Sequence, residues 1–291
     1  MKDTNGERIF YGINYFVLLL VGLTCLFPLV HILAISLSEA QDVASGRVFL
    51  WPVDITIKPY QALFAGSDII NGFKNNLIIT VVGTVLSMIF TVMAAYPLSR
   101  KNMIGRRKFT LIILFTMLFT GGIIPNYLVL SSFHLINSYW AIWLPGLISV
   151  FNLLVLKTYF ESLPEELIEA ARMDGCKEFR LIVQIVLPLS VPVLAALTLF
   201  YLVGYWNQFV NVLLFINDTE KYNLTVIVQQ MIRSQSVIQE LNNLQPEDTL
   251  SLTPETIRAS GLVVSILPMI IIYPILQRYF VKGITLGAIK G

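Results

Sequence analysis

Residues Ser162–Pro188 read SLPEELIEAARMDGCKEFRLIVQIVLP, which predicts two short helices joined by a tight turn. Ser162 and Glu165 have the spacing of a capping box, so the first helix is expected to begin here. Asp174-Gly175 favours the left-handed turn that ends a helix. The sequence therefore predicts a helix and a sharp turn within the first half of this stretch.

The second helix is predicted to run from Cys176 to about Val186 and to stop at Pro188, since proline disfavours helix continuation. The two helices form a helix-turn-helix segment, here called the elbow, over about residues 161–188. Lys157–Arg180 is the most charged part of the chain, with four basic and six acidic residues. A solvated face accounts for the charge, but not for the order of residue types.

The rest of the chain has the composition of a membrane protein. Apolar residues make up 56% of it and charged residues 13%, whereas about a quarter of residues are charged in soluble domains. A helix needs roughly 20 apolar residues to cross a bilayer. The long charge-poor stretches are Ile9–Ser38, Asn75–Ser99, Phe109–Leu156, Leu181–Asn217 and Ala259–Gln277.

Two of these stretches do not each correspond to a single membrane crossing. Phe109–Leu156 is too long for one crossing, and the polar residues around Ser131–Ser138 divide it into two. Leu181–Asn217 has two prolines near its start, so its crossing is expected to begin near Leu189 or Val193. The sequence therefore predicts an all-α integral membrane protein with six transmembrane helices in a single domain, residues 1–291.

The distribution of basic residues predicts the orientation of the chain in the bilayer. Fourteen of the twenty Lys and Arg residues fall on the side that carries both termini and the elbow, which the positive-inside rule makes cytoplasmic. This asymmetry also explains the net charge of +2, so no nucleic-acid partner is expected. The long connections Glu39–Lys74 and Asp218–Arg258 are placed outside, with Leu224–Ile232 helical and Asn242–Pro254 mobile.

The N-terminus and the cysteines indicate no processing or metal chemistry. Ile9–Ser38 is longer than the apolar core of a signal peptide and is interpreted as a retained first helix. Cys25 lies in that helix and Cys176 in the elbow, so neither a disulfide nor a metal site is predicted.

The elbow resembles the cytoplasmic signature of permeases of type I ATP-binding-cassette (ABC) importers. That signature is Glu-Ala-Ala, three residues, Gly, nine residues, then Ile, any residue, Leu and Pro. This chain has Glu169-Ala170-Ala171, Gly175 and then Ile185-Val186-Leu187-Pro188, so every fixed position matches. A match over so many positions is more specific than a lone short motif.

The resemblance extends to most of the chain and indicates a carbohydrate permease of the maltose-permease group. The double glycine before Ile123-Ile124-Pro125 is most similar to permeases for complex oligosaccharides, including uronate-containing ones. The other similar segments are Tyr139–Ile142, Gly204–Asn207 and the tail from Gln277 to Gly291.

The resemblance also implies partners and roles. In the family the elbow sits in a cleft of an ATPase subunit, and the expected coupling residues here are Glu169, Ala170, Ala171, Asp174 and Gly175. The implied partners are a second homologous permease, two ATPase subunits that hold ATP and Mg, an extracytoplasmic solute-binding protein and membrane lipid. The chain itself has no phosphate-binding loop, so it is expected to be non-catalytic, with no cofactor and no catalytic residue. The tail after the last helix is expected to contact the ATPase.

A few polar side chains lie within the predicted spans and are candidates for the substrate path, because such groups usually face a water-filled cavity. The candidates are Asn152, Trp206, Asn207, Asn211 and Asn126. Asn207 and Asn211 are expected to share one helix face, and Trp206 offers a ring for stacking on a sugar. A helix-helix hydrogen bond for Asn152 and an interfacial role for the residues near Trp206 remain equally open.

Three other interpretations are left open at this point. The same importer could carry peptides, amino acids or phosphate, which only the ligand of the binding protein would decide. A stand-alone secondary transporter would need coupling-ion chemistry, yet no Asp or Glu lies inside the predicted spans. An intramembrane enzyme has poor support because none of the usual hydrolase motifs occurs.

Overall fold

The computed structural model describes residues 5–65, 67–233 and 253–288. Nearly all of these residues are helical, and none of them forms a β-strand. Within these described ranges, three helices are long and apolar enough to cross a membrane, and three helix pairs reach that length together although each is bent at a short break. Counting each bent pair as one crossing gives the six that the sequence predicts.

The main helices fall in the order expected from the apolar stretches. Their bounds are α1 Asn5–Ser36, α2 Ala40–Ala44, α3 Lys58–Ala65, α4 Ser67–Ser99, α5 Arg106–Leu118, α6 Ile123–Ser132, α7 Trp140–Gly146, α8 Val150–Glu161, α9 Glu165–Met173, α10 Glu178–Leu189, α11 Val191–Trp206, α12 Val210–Phe215, α13 Leu224–Arg233 and α14 Pro254–Ala288.

Three of the crossings formed by the described residues are bent, a feature that the lengths of the apolar stretches do not indicate. The bends are 113° between α5 and α6, 48° between α7 and α8, and 86° between α10 and α11. The first bend lies at Gly121-Gly122, where Gly122 has a φ of +87°. Pro125 is in the first turn of α6, where a missing N–H costs little. The third bend confirms that a new helix begins between Leu189 and Val193.

The elbow forms as two helices, although its details differ from the prediction. The predicted capping box is absent because the Ser162 hydroxyl donates to the Tyr159 carbonyl oxygen at 2.8 Å, at the end of α8. Helix α9 therefore begins at Glu165 without a side-chain cap. Helix α10 continues through Pro188 because a π-helical turn over Ile182–Val186 shifts the hydrogen-bond register just before it. Pro188 then lies at the start of the final α-helical turn of α10, Leu187–Leu189, a position where proline is tolerated.

The connections and the last helix were only partly predicted. The helix predicted over Leu224–Ile232 is confirmed as α13. Helix α14 continues to Ala288 instead of ending near Gln277. The segment Asn242–Pro254, predicted to be mobile, lies outside the described residues up to position 252.

Two groups of residues are compact in themselves. One comprises Met1–Ile70 with Ile227–Leu267, and the other Asn71–Val226 with Pro268–Gly291. In the first group the Tyr60 hydroxyl donates to Ser36 Oγ at 2.8 Å, and the Ser38 hydroxyl accepts from the Val53 amide at 3.0 Å. These bonds fasten the loop after α1 to the end of that helix.

The second group contains the elbow and two main apolar clusters. One cluster joins the ends of α4 and α8 to the elbow through Ala95, Tyr96, Leu98, Leu153, Leu156, Phe160, Ile168, Leu181, Val186 and Leu197. The other surrounds the break between α7 and α8 and contains Ile79, Ile142, Trp143, Tyr201, Tyr205, Val212, Ile216 and Val226. Each cluster positions one of the two candidate sites.

Candidate functional site

The turn of the elbow has the geometry that its glycine predicts. Gly175 has a φ of +75°, which is the left-handed conformation. Its amide donates to the Arg172 carbonyl oxygen at 3.0 Å, and the Cys176 amide donates to the Ala171 carbonyl oxygen at 3.0 Å. These two bonds define a Schellman motif, so the end of α9 has a fixed direction.

Helix α9 presents most of the predicted coupling residues to solvent. Glu169, Ala170 and Asp174 are exposed, and Ala171 is half-buried. Ile168 is buried in the cluster below them. One face of α9 is therefore anchored in the cluster and the other is exposed. The small alanine side chains on the exposed face would let another protein approach the helix backbone closely.

Exposed apolar side chains beside the predicted residues were missed from the sequence. Met173 is 88% exposed and Phe179 is 80% exposed, on either side of the turn, and Leu167 is 46% exposed. Large exposed apolar groups on an otherwise charged segment are typical of a surface that another protein covers. The signal was available, because these residues interrupt the polar face of the two amphipathic helices.

Polar contacts tie the elbow to the segment that follows α4. The Lys101 ammonium contacts a Glu165 carboxylate oxygen at 2.8 Å, and this hydrogen bond and charge raise the pKa of Lys101 and lower the pKa of Glu165. Glu161 pairs with Arg106 and also with Lys157, at 2.8 Å for the latter. The Lys101–Glu165 pair lies at the surface, where solvent screens it, whereas the side chains of the Glu161 pairs are half-buried.

A cavity of about 420 Å³ lies beside the break between α7 and α8. Its size falls in the range of small-molecule sites. Aromatic rings and two amide side chains surround it, and none of the described residues that line it is charged. The lining residues are Gly146, Ser149, Phe151, Asn152, Phe200, Tyr201, Gly204, Tyr205 and Gln208.

Two tyrosine hydroxyls hold the broken backbone at this cavity. Pro145 has no N–H, and the helix ends at Gly146, so backbone groups near the break need partners elsewhere. The Ser149 amide donates to the Tyr201 hydroxyl at 2.9 Å. The Tyr205 hydroxyl donates to the Trp143 carbonyl oxygen at 3.4 Å and lies 2.9 Å from Ser87 Oγ. The break is therefore a fixed feature of the structure.

The structure brings only one of the predicted path residues to this cavity. Asn152 lines it in the first turn of α8 and is 3% exposed. Trp206 is buried, with its ring centroid 6.0 Å from that of Phe73, and does not line the cavity. Gln208 does line it, although it is not among the path residues predicted from the sequence.

The remaining candidates lie elsewhere. Helix α11 ends at Trp206, so the predicted continuous helix face shared by Asn207 and Asn211 is not present. Asn207 is exposed and donates to the Val203 carbonyl oxygen at 2.9 Å, while Asn211 donates to Gln208 Oε1 at 2.7 Å. Asn126 is exposed on α6. Their roles in a substrate path stay predictions.

Broken membrane helices around an uncharged cavity, together with a projecting helix-turn-helix, define a transport component of a membrane. Residues 61–286 match the family model for the inner membrane component of binding-protein-dependent transport systems. The chain therefore belongs to this family of ABC importer permeases, which confirms the resemblance seen in the elbow.

Two curated relatives and one solved structure are similar over almost the whole chain. The polygalacturonan/rhamnogalacturonan transport system permease protein YtcP of Bacillus subtilis is 37% identical over all of both chains. Protein LplC of Bacillus subtilis is 36% identical over 100% of this chain and 98% of its own length. The crystal structure of a bacterial ABC transporter involved in the import of the acidic polysaccharide alginate contains a chain with a TM-score of 0.88. That chain is 33% identical, and the match covers 96% of this chain and 99% of that one.

Proposed function

We propose that this chain is a membrane subunit of an ATP-driven importer whose cargo is an acidic, uronate-containing oligosaccharide. The observation that carries the cargo class is the cavity beside the break, which the Asn152 and Gln208 amides and four aromatic rings line, with no charged side chain among the described lining residues. Amides can donate to hydroxyl and carboxylate groups, and the absence of acidic side chains there avoids repulsion of an anionic sugar.

The relatives support this choice of cargo. YtcP is described as a transporter of polygalacturonan and rhamnogalacturonan, and the similar solved structure belongs to an importer of alginate. These names describe acidic polysaccharides. We infer that the present chain accepts fragments of the same chemical class.

The elbow is the proposed contact with the ATPase. Its exposed face carries Glu169, Ala170 and Asp174, and the exposed Met173 and Phe179 flank the turn. ATP and Mg would then be held by two partner ATPase subunits and not by this chain. A second permease, a solute-binding protein docked on the outer connections and surrounding lipid complete the proposed assembly.

The test is uptake by proteoliposomes that contain the complex purified from native membranes together with its binding protein. Labelled short oligogalacturonates should accumulate inside the vesicles only when ATP is supplied on the side of the membrane that carries the elbow. Neutral maltooligosaccharides and short peptides should compete poorly. Preferential uptake of peptides or of neutral sugars would reject the proposed cargo, and uptake without ATP would reject the importer mechanism.

A further inference from the structure

We propose that Glu178 is a positioning residue that links the elbow to the end of helix α4 through Tyr96, and so transmits movement of the elbow to that membrane-spanning helix. Glu178 is not one of the fixed positions of the elbow signature. The inference rests on the proposed role of the elbow as the contact with the ATPase. It adds the connection by which that contact acts on the membrane segment.

The two oxygens of the Glu178 carboxylate have different partners. The Tyr96 hydroxyl donates to Oε2 at 2.5 Å. Oε1 accepts from Arg172 Nε at 3.1 Å and lies 2.9 Å from Arg172 Nη2. Because Arg172 is on α9, Glu178 begins α10 and Tyr96 is on α4, one carboxylate joins three helices.

The Tyr96 side chain is well placed to transmit a displacement. It is 6% exposed, and its ring packs edge-on against Phe160 with centroids 6.4 Å apart. The Arg100 guanidinium carbon lies 4.6 Å from the ring centroid. Two guanidinium nitrogens of Arg100, Nε and Nη2, are buried and have no hydrogen-bond partner among the residues that the structure describes, so the ring face of Tyr96 is the contact identified for this group. A buried ring held on two sides moves with its helix and does not rotate freely.

The Lys101–Glu165 pair, which also joins the elbow to the segment after α4, is less suited to the task. Lys101 and Glu165 have side chains that are 75% and 60% exposed. Lys101 follows the end of α4 and has a long flexible stem, so its contact can persist while the elbow moves. Water and salt also screen such a pair. The Glu178 side chain is itself 57% exposed, but its partner Tyr96 is buried and packed in the apolar cluster, so the Tyr96–Glu178 bond is the stiffer of these two connections.

Helix α4 carries a second fixed contact close to Tyr96. The Thr91 hydroxyl lies 2.6 Å from the Tyr201 hydroxyl, which also accepts the Ser149 amide at the cavity. Thr91 and Tyr96 are five residues apart on one helix, about 7.5 Å along its axis. A displacement of α4 by the elbow thus reaches a group that holds the cavity wall.

The experiment compares basal ATPase activity with the activity stimulated by the loaded binding protein, in the purified complex in proteoliposomes with oligogalacturonate as the sugar. The variants are Tyr96→Phe, which removes only the hydroxyl, Glu178→Ala, and Glu178→Gln, which keeps an acceptor for Tyr96. Tyr60→Phe is the matched control, because it removes a hydroxyl bonded to Ser36 near a different helix end.

Tyr96→Phe and Glu178→Ala should keep the ATPase bound and the basal rate near that of the unmodified complex, while stimulation falls by about fivefold or more. Glu178→Gln should retain part of the stimulation, and Tyr60→Phe all of it. The double variant Tyr96→Phe/Glu178→Ala should be no worse than either single variant, since both remove the same contact.

Normal stimulation in both Tyr96→Phe and Glu178→Ala would overturn the proposal. Equal loss in Glu178→Gln and Glu178→Ala, with no loss in Tyr96→Phe, would also overturn it, because the Arg172 pair alone would then matter. Gly175→Val separates this result from failure of the proposed function. If Gly175→Val uncouples the complex but Tyr96→Phe does not, the elbow is the ATPase contact and only the link is wrong. If neither variant uncouples it, the proposed role of the elbow is wrong.

Discussion

The Ser149 amide donates a 2.9 Å hydrogen bond to the hydroxyl of Tyr201. This bond supplies a partner for a backbone group at the break between α7 and α8, beside the cavity. The same hydroxyl lies 2.6 Å from Thr91 Oγ1. A single side chain thus fixes two neighbouring helices at the place where a substrate path is proposed.

Tyr201→Phe should therefore lower stability by about 1–3 kcal/mol, because the backbone amide of the half-buried Ser149 loses its acceptor. Thermal unfolding of the detergent-solubilised complex measures this as a lower Tm. Tyr273→Phe is the control, since Tyr273 is 49% exposed on α14. Equal Tm values for the two variants would show that the Tyr201 hydroxyl does not support the break.

Gly175→Val should strain the elbow by about 1–3 kcal/mol, since a β-branched residue is disfavoured at positive φ. A Cβ at this position would meet no neighbouring atom within 4 Å, so backbone conformation alone causes the effect. Gly175→Asn should be milder because asparagine tolerates the left-handed conformation. The measurement is ATP-driven uptake relative to the amount of protein inserted in the membrane. Normal uptake by Gly175→Val would contradict the prediction.

Gly83→Ala tests the close approach of α4 to Tyr205. The added Cβ would lie 2.9 Å from three carbon atoms of the Tyr205 ring. That ring is held by its hydroxyl contacts to Ser87 and Trp143, so overpacking should cost about 1–3 kcal/mol.

The control for this change is Gly22→Ala, where a Cβ would meet nothing within 4 Å. Thermal unfolding should show a lower Tm for Gly83→Ala only. A Tm for Gly83→Ala that matches the unmodified protein would show that Tyr205 can move aside.

Asn152→Ala should slow uptake modestly without changing which sugar is preferred. Asn152 is one of only two amides among the described residues that line the cavity, which is too few to pair the many hydroxyl groups of an oligosaccharide. Most of the discrimination is therefore expected from the binding protein and the second permease. Competition among several sugars in the uptake assay tests this, and a switch of preference in Asn152→Ala would place the discriminating site in this chain.

Local residue patterns predicted the membrane crossings, the elbow turn and the new helix that begins after Leu189, but not the breaks inside the other two bent crossings. The apolar runs specify length, and Asp174-Gly175 specifies a left-handed turn, because both signals depend on neighbours in the chain. The break at residues 147–149 depends instead on hydroxyls that arrive from α11. The π-helical turn at Ile182–Val186 likewise has no reliable local signal.

At the candidate site, too, features set by neighbouring residues could be predicted, whereas those that depend on packing between helices could not. The exposed face of α9 could be predicted from the motif and its charge. Trp206 was selected by residue type, but it is buried against Phe73, because an apolar helix gives no periodic signal for which side faces a cavity. Gln208 was passed over, although it follows the end of the same helix and reaches the cavity.

The central claim is that the elbow meets the ATPase. The most direct test is cross-linking from a cysteine introduced by Ala170→Cys in a background with Cys25→Ser and Cys176→Ser, since these are the two native cysteines. A short bifunctional cross-linker should join Ala170→Cys to an ATP-hydrolysing subunit, with a yield that changes when ATP is added. Ser45→Cys, placed in the exposed loop after α2, should give no such product. A product from Ser45→Cys and none from Ala170→Cys would contradict both the orientation and the proposed contact.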